Sequence, residues 1–580
     1  MKTEQRFQGV AVSPGIARGP AFVYRPKDDL PPRRLVTDVE AEIGRLHDAL
    51  SSTRRQIAAL HEKMQEALGA KDAAVFEAHL MVVDDGSLLS EVHAVLKSEK
   101  CNAEHGYWSV MQRYARSFAQ IDDPYLRERS ADIHDVARRV VHNLMGRDMS
   151  GLAGIASPHV VFAHNLTPSD TAQMNRANVL GFGTEAGGRT SHTAIIARSL
   201  SIPAVVGLHA VLDQIENGSE VLLDGYSGHV IINPTEQTLY EYGELETRRR
   251  RVESALVELR ERESTTKDGR HVVLSANIET PDDAPAVLTS GAEGVGLFRT
   301  EFLYLARREL PSEEEQLAAY TRVASSVKPH GVIIRTLDLG GDKLHEHLSA
   351  QDEENPFLGW RAIRVCLDRT EVFKTQLRAI LRASVAGSIK IMFPMISGVV
   401  ELRRAKAVLE ECREELRKEG RPFDEKLPVG IMIEVPSAAV IADVLAREVD
   451  FFSLGTNDLV QYTLAADRGN ERIAHLYEPT HPGVLRLIKQ TTDAGHAAGI
   501  WTGVCGEMGG DITLTPLLVG LGVDELSCGV AVLPRVKRAV RSLDASACRR
   551  LAEESLACAS GAEILEKCEG VAWDHYGDLF

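Results

Sequence analysis

No apolar run in the 580 residues is long enough to span a bilayer, and no stretch has the pattern of a cleaved leader. Membrane insertion is therefore not expected. The eight cysteines are scattered, with no CxxC pair and no metal-ligand spacing. That argues against a disulfide framework or a zinc site and predicts reduced thiols in a cytoplasm. Positive charge is in deficit, with 66 Lys and Arg against 83 Asp and Glu and a formal net charge of −17. Such a balance argues against a nucleic-acid partner and against an anionic membrane surface. Low-complexity segments and short-period repeats are also lacking. What is present is ordinary: 44% hydrophobic and 26% charged residues, in a chain long enough for three or four domains.

Residues 1–30 read as short strands and turns around Val10-Ala11-Val12 and Ala21-Phe22-Val23-Tyr24. Residues 31–146 carry helical periodicity, with Ile43, Leu46, Leu50, Ile57 and Leu60 on one face of the first helix. Strand and helix alternate over 147–234, which together with 1–30 predicts an α/β domain into which the helical bundle is inserted. Residues 235–262 are helical and highly charged, with Arg248 to Arg251 consecutive, and read as a linker helix.

Within the α/β domain stands Gly187-Gly188-Arg189-Thr190-Ser191-His192. The two glycines free the backbone for a tight turn, and Thr190 or Ser191 is the expected N-cap. His192 then falls in a first helical turn, where free N–H groups and the helix dipole favour an anion. On its own the stretch reads first as a capping loop with an incidental histidine.

From residue 263 to 580 eight short apolar runs recur between helical patterns: 272–276, 294–298, 332–337, 390–393, 430–435, 451–454, 501–504 and 524–527. Eight units predict a (β/α)8 TIM barrel, with a doubly wound open sheet as the structural alternative. Polar residues gather where these runs end. Arg299, Arg335 and Arg468 suit phosphate and carboxylate oxygens. Glu434 and Asp458 are hard oxygen ligands on adjacent strands, as Mg2+ prefers. Each arginine could instead form a rim ion pair with Glu301, Asp338 or Glu507. Cys505 reads alone as a core thiol. At the barrel mouth it could donate a proton, since a thiol titrates near neutral pH.

These stretches closely resemble enzyme I of the bacterial sugar phosphotransferase system, the phosphoenolpyruvate–protein phosphotransferases, over essentially the whole chain. The most specific matches are Thr184 to Thr193, Gly291 to Phe302, Glu354 to Arg361 and Asp450 to Leu459. Phe76-Glu77-Ala78-His79 and Arg129 to Ile133 are similar to the family's carrier-docking domain. The resemblance implies a multidomain α/β protein whose swivelling domain carries a phosphohistidine, His192, reacting through Nε2. Gly188 and Arg189 would support the histidine, and Thr171 would orient its other ring nitrogen. Arg299, Arg335, Arg468, Asn457 and Asp458 would hold phosphoenolpyruvate. Glu434 and Asp458 would bind Mg2+, and Cys505 would protonate enolpyruvate. It further implies a homodimer through the barrel and transfer to a histidine of the phosphocarrier HPr, the first general step of sugar uptake. Asn165 stands where the family usually has aspartate, and Gly509 where it usually has alanine. The runner-up is a phosphoenolpyruvate synthase or pyruvate phosphate dikinase. Those enzymes need a large nucleotide-binding domain, whereas the insert here is helical and has no Gly-rich nucleotide loop. A nitrogen-related enzyme I would carry an added N-terminal sensory domain, and Ser13-Pro14-Gly15 begins almost at once.

Overall fold

The computed structural model describes residues 3–25, 31–68, 70–119, 124–146, 152, 155, 157–172, 174, 178–188, 191–305, 309–340, 353–470 and 472–580. They form two compact units, Met1–Thr247 and Arg248–Phe580.

The first unit is built on a mixed eight-stranded sheet. Its strands are β1 (Gln5–Gln8), β2 (Val10–Ser13), β3 (Ile16–Tyr24), β4 (His159–Ala163), β5 (Val179–Thr184), β6 (Ala204–Val206), β7 (Glu220–Asp224) and β8 (His229–Ile232), in the order β1-β8-β7-β3-β4-β5-β6-β2. β3 pairs antiparallel with β7 over its first half and parallel with β4 over its second. The chain thus leaves the sheet at Tyr24 and rejoins it at β4. Between these points run α1 (Val39–Leu68), α2 (Ala70–Val83), α3 (Gly86–Glu99), α4 (Ala103–Ala119) and α5 (Pro124–Leu144). Ile43, Leu46, Leu50 and Ile57 bury the stripe that their spacing predicts, against Phe76, Val92, Tyr107 and Val140. Each such side chain contributes roughly 1.5–3 kcal/mol by leaving water. Two strands, β1 and β8, lay outside the sequence reading. They pair with each other at one edge of the sheet, and β1 is mostly exposed, so it lacks the apolar run of an inner strand.

A short helix α6 (Pro168–Ala172) follows β4, and α7 (His192–Leu200) follows β5. α7 serves two cores at once. Ala194 and Ala197 pack toward the sheet, while Ile196 joins the core of the helical bundle. A helix α8 (Glu236–Glu258) then crosses the boundary between the units.

The second unit is a closed barrel of parallel strands: β9 (Val273–Ile278), β10 (Gly294–Phe298), β11 (Gly331–Arg335), β12 (Ser388–Phe393), β13 (Val429–Ile433), β14 (Phe451–Leu454), β15 (Trp501–Val504) and β16 (Glu525–Gly529). β16 pairs with β9, which closes the ring and rules out the open sheet. The inside is filled by Leu297, Ile333, Met392, Met432 and Phe451, with Trp501 stacked on Phe451. Helices cover the outside. Both faces are therefore apolar, and the strands read as continuous hydrophobic runs.

Candidate active site

In the first unit the loop from β5 delivers His192 as the first residue of α7. Ser191 is the N-cap: its backbone is extended and its hydroxyl accepts from the Ala194 N–H at 3.3 Å. Gly187 takes φ +110°, which favours glycine. Gly188 does not adopt such an angle. Its carbonyl accepts from the Ser191 N–H and hydroxyl, at 3.1 and 2.9 Å, so only one of the two glycines supplies the expected freedom. Arg189, Thr190 and the His192 side chain lie outside the described residues. Thr193 donates from Oγ1 to the Leu166 carbonyl at 2.8 Å, tying the first turn of α7 to the loop ahead of α6. Thr171, buried on α6, donates its hydroxyl to the Thr167 and Pro168 carbonyls at 3.0 Å each. Its oxygen keeps acceptor capacity for a ring N–H. Asn165 Oδ1 accepts the Leu166 N–H at 2.9 Å, a task that needs no negative charge.

In the second unit seven residues singled out in the sequence line one cavity of about 370 Å3: Arg299, Arg335, Glu434, Asn457, Asp458, Arg468 and Cys505. Their placement follows the barrel rule that polar groups collect past the C-terminal strand ends. Arg299 follows β10, Arg335 ends β11, Glu434 follows β13 and Cys505 follows β15, while Asn457 and Asp458 open the helix after β14. Asn457 and Glu507 are cross-linked by two hydrogen bonds, Nδ2 to Oε1 at 3.1 Å and Glu507 N–H to Oδ1 at 2.8 Å. Gly506 lets this corner close, since a Cβ there would lie 2.0 Å from Thr456 Oγ1.

The rim ion pairs foreseen as the alternative for the arginines exist for Arg335, which contacts Glu301 at 2.9 Å and Asp338 at 2.8 Å. Arg299 pairs with a different carboxylate, Glu279, at 3.3 Å. Pairing does not remove Arg335 from the cavity, and its buried Nε has no hydrogen-bond partner among the described residues. Burial works against its charge, but Glu301 and Asp338 outweigh this and hold the guanidinium cationic. Glu434 is 1% exposed and accepts the Met395 N–H at 2.6 Å. Burial, followed by the nearby Asp458 and Asp338, pushes its carboxyl well above the ordinary range. Burial likewise pushes the Cys505 thiol up to about 11, so at neutral pH it keeps its proton. The sequence expectation of a thiol titrating near neutrality is corrected by that burial.

Arg361 was missed. It donates from Nη2 to Asp338 Oδ1 at 2.8 Å and to Asp458 Oδ2 at 3.4 Å, and from Nη1 to the Tyr462 hydroxyl at 3.2 Å. It lies in a loop and not at a strand end, so the barrel rule does not find it. Its signal was its place at the close of the Glu354 to Arg361 stretch. Asp338, held ionised by Arg335 and Arg361 against the cost of burial, was noted only as a rim partner. It is the anion between two cations.

Comparison with known proteins places the whole chain among phosphoenolpyruvate-utilising enzymes. Residues 8–129 match the family "PEP-utilising enzyme, N-terminal", residues 155–228 "PEP-utilising enzyme, mobile domain", and residues 253–545 "PEP-utilising enzyme, PEP-binding domain". The chain is 45% identical over 565 residues to a phosphoenolpyruvate-protein phosphotransferase of Staphylococcus carnosus, covering 97% of this chain and 99% of that protein. It is 46% identical over 562 residues to the protein of the same name from Geobacillus stearothermophilus, covering 97% of each. A solution structure titled Enzyme I (nEIt) covers 42% of this chain at 42% identity with a TM-score of 0.36. By its full-length similarity to these relatives, the chain belongs to the phosphoenolpyruvate-protein phosphotransferase family.

Proposed function

We propose that this chain takes the phosphoryl group of phosphoenolpyruvate onto His192, releases pyruvate, and passes the group to a histidine of the carrier HPr. The observation that carries this is the cavity at the barrel mouth, where four arginines, four carboxylates and the buried thiol of Cys505 meet. Arg299, Arg335 and Arg468 bind the phosphate and carboxylate of the substrate, and Arg361 steadies Asp338 and Asp458 beneath it. The P–O bond to the enol oxygen breaks and a bond to His192 Nε2 forms. The enolate carbon then takes its proton from Cys505.

The residues present fit Mg2+. The donor set is all oxygen, and Glu434 and Asp458 would hold the ion, which would relieve their repulsion in a buried site. Among the described residues no three metal-ligating side chains form a closed group, so substrate and water oxygens would complete the shell. When bound, the ion supplies neutralisation of developing phosphate charge. No described helix is long and apolar enough to cross a membrane. A homodimer through the barrel and HPr docking on the helical bundle belong to the same reading and rest on the sequence resemblance to enzyme I.

The test is incubation with labelled phosphoenolpyruvate and Mg2+. The expected product is an acid-labile, base-stable phosphoprotein that loses its label to HPr and not to AMP plus phosphate. His192→Ala should take no label. Label chased only into AMP would overturn the reading in favour of a dikinase.

A further inference from the structure

The helical bundle meets the sheet at a cavity of about 480 Å3, and its wall carries a buried ionic chain that the phosphoryl-transfer scheme leaves unused. Arg138 on α5 donates from Nη2 to Asp170 Oδ1 at 2.8 Å and to Thr167 Oγ1 at 3.3 Å. The side chains of Arg138 and Asp170 are 8% and 7% exposed. Asp170 also accepts the Tyr24 hydroxyl at 2.9 Å, from the end of β3. Its Oδ2 takes the Thr167 N–H at 3.1 Å and hydroxyl at 2.9 Å, while Thr167 Oγ1 accepts the Asp170 N–H at 3.1 Å. These reciprocal bonds cap α6. One turn before Arg138, Asp135 accepts the Ser169 N–H at 3.3 Å. The helix α5 therefore grips α6 with one cation and one anion.

The grip extends to α7. The Leu166 carbonyl, next to the Thr167 cap, accepts the hydroxyl of Thr193, the residue after His192. A path of short hydrogen bonds thus runs from α5 through Asp170 and Thr167 to the first turn of α7. A buried ion pair adds little net stability, because desolvation offsets the attraction. It does fix direction, since a guanidinium satisfies two oxygens only in one orientation.

We propose that Arg138 is a positioning residue for His192. Through Asp170 it sets the place of α6 and of the Leu166 carbonyl, and through these the first turn of α7. The inference rests on His192 being the phosphoryl acceptor. It makes carrier docking on the bundle and presentation of the histidine parts of one linked structure.

The full-length variants Arg138→Met, Arg138→Lys and Asp170→Asn test it. Labelling from phosphoenolpyruvate is followed with no carrier present, beside ring 1H–15N spectra of His192. Arg138→Met should slow labelling roughly ten- to a hundredfold, with the KM for phosphoenolpyruvate unchanged, and should move the ring nitrogen signals. Arg138→Lys should restore part of the rate. A wild-type labelling rate overturns the proposal, and so do unmoved ring signals. If Arg138→Met does not fold, Arg138→Met with Asp170→Asn removes both buried charges and should show the same slowing; a wild-type rate there also overturns it. If the wild-type protein takes no label, the acceptor reading itself falls. The ring spectra then decide the positioning, and unmoved signals in Arg138→Met reject it.

Discussion

At the scale of single residues the proposed barrel chemistry turns on two protons. Cys505 is useful as an acid only while protonated, and burial raises it to about 11. Turnover should stay level through neutral pH and fall only as pH nears that value. Cys505→Ala should lower kcat by roughly a hundredfold or more, with phosphoenolpyruvate binding kept; unchanged turnover would leave the thiol as packing. Glu434 runs the opposite way for stability. Its carboxyl is raised above the ordinary 4.5 in the fold. The folded state therefore holds the proton more tightly, and this contribution, full below 4.5, is lost as pH rises through the raised value. Glu434→Gln should be more stable than the wild type at neutral pH by on the order of 1 kcal/mol. It should also lose activity and fail to show the rise in Tm expected of the wild type on adding Mg2+. Equal Mg2+ shifts in both proteins would remove Glu434 from the metal site.

Elements carry the next level of the argument. The helix α7 was legible because its signals are local: a glycine turn, a hydroxyl cap, then apolar positions three and four apart. Ser191 closes that cap, and Ser191→Ala should cost about 1 kcal/mol in denaturant unfolding of the unit. The same change should slow phosphorylation, since the cap fixes the turn in which His192 stands; a fall in stability with no change in rate would separate the two. Barrel strands were legible for a similar reason. Strands buried on both faces are apolar along their length, so 294–298, 451–454 and 501–504 in the sequence are the strands observed. The edge strand β1 had no such mark. Nor could α5 announce that Asp135 and Arg138 face α6, for their partners lie in a different element and charged residues on a helix usually face solvent.

The whole molecule is two units joined within α8, and each hydrophobic core lies on one side of the boundary. Arg248 to Arg251 stand at that boundary, in a helix with little apolar character. Limited trypsin digestion should cut there first and leave two folded pieces. The barrel piece should still bind phosphoenolpyruvate. Labelling of His192 by the mixed pieces should fall by roughly a hundredfold or more, because the histidine is no longer held at high effective concentration. Labelling that survives cleavage at the same rate would show that the covalent link plays no part in transfer.

Periodicity, caps and the residue types past each strand end act over a few neighbouring positions. By itself the sequence therefore determined the strand–helix rhythm, the place of His192 at a helix start, and the set of arginines and carboxylates at the barrel mouth. Tertiary structure decided what those groups are. It paired Arg335 with Glu301 and Asp338, brought Arg361 into the site from a loop, kept the proton on Cys505, and joined α5 to α6 through Arg138. Charge and protonation depend on burial and on groups from distant parts of the chain, and the fold alone brings those within a few ångströms.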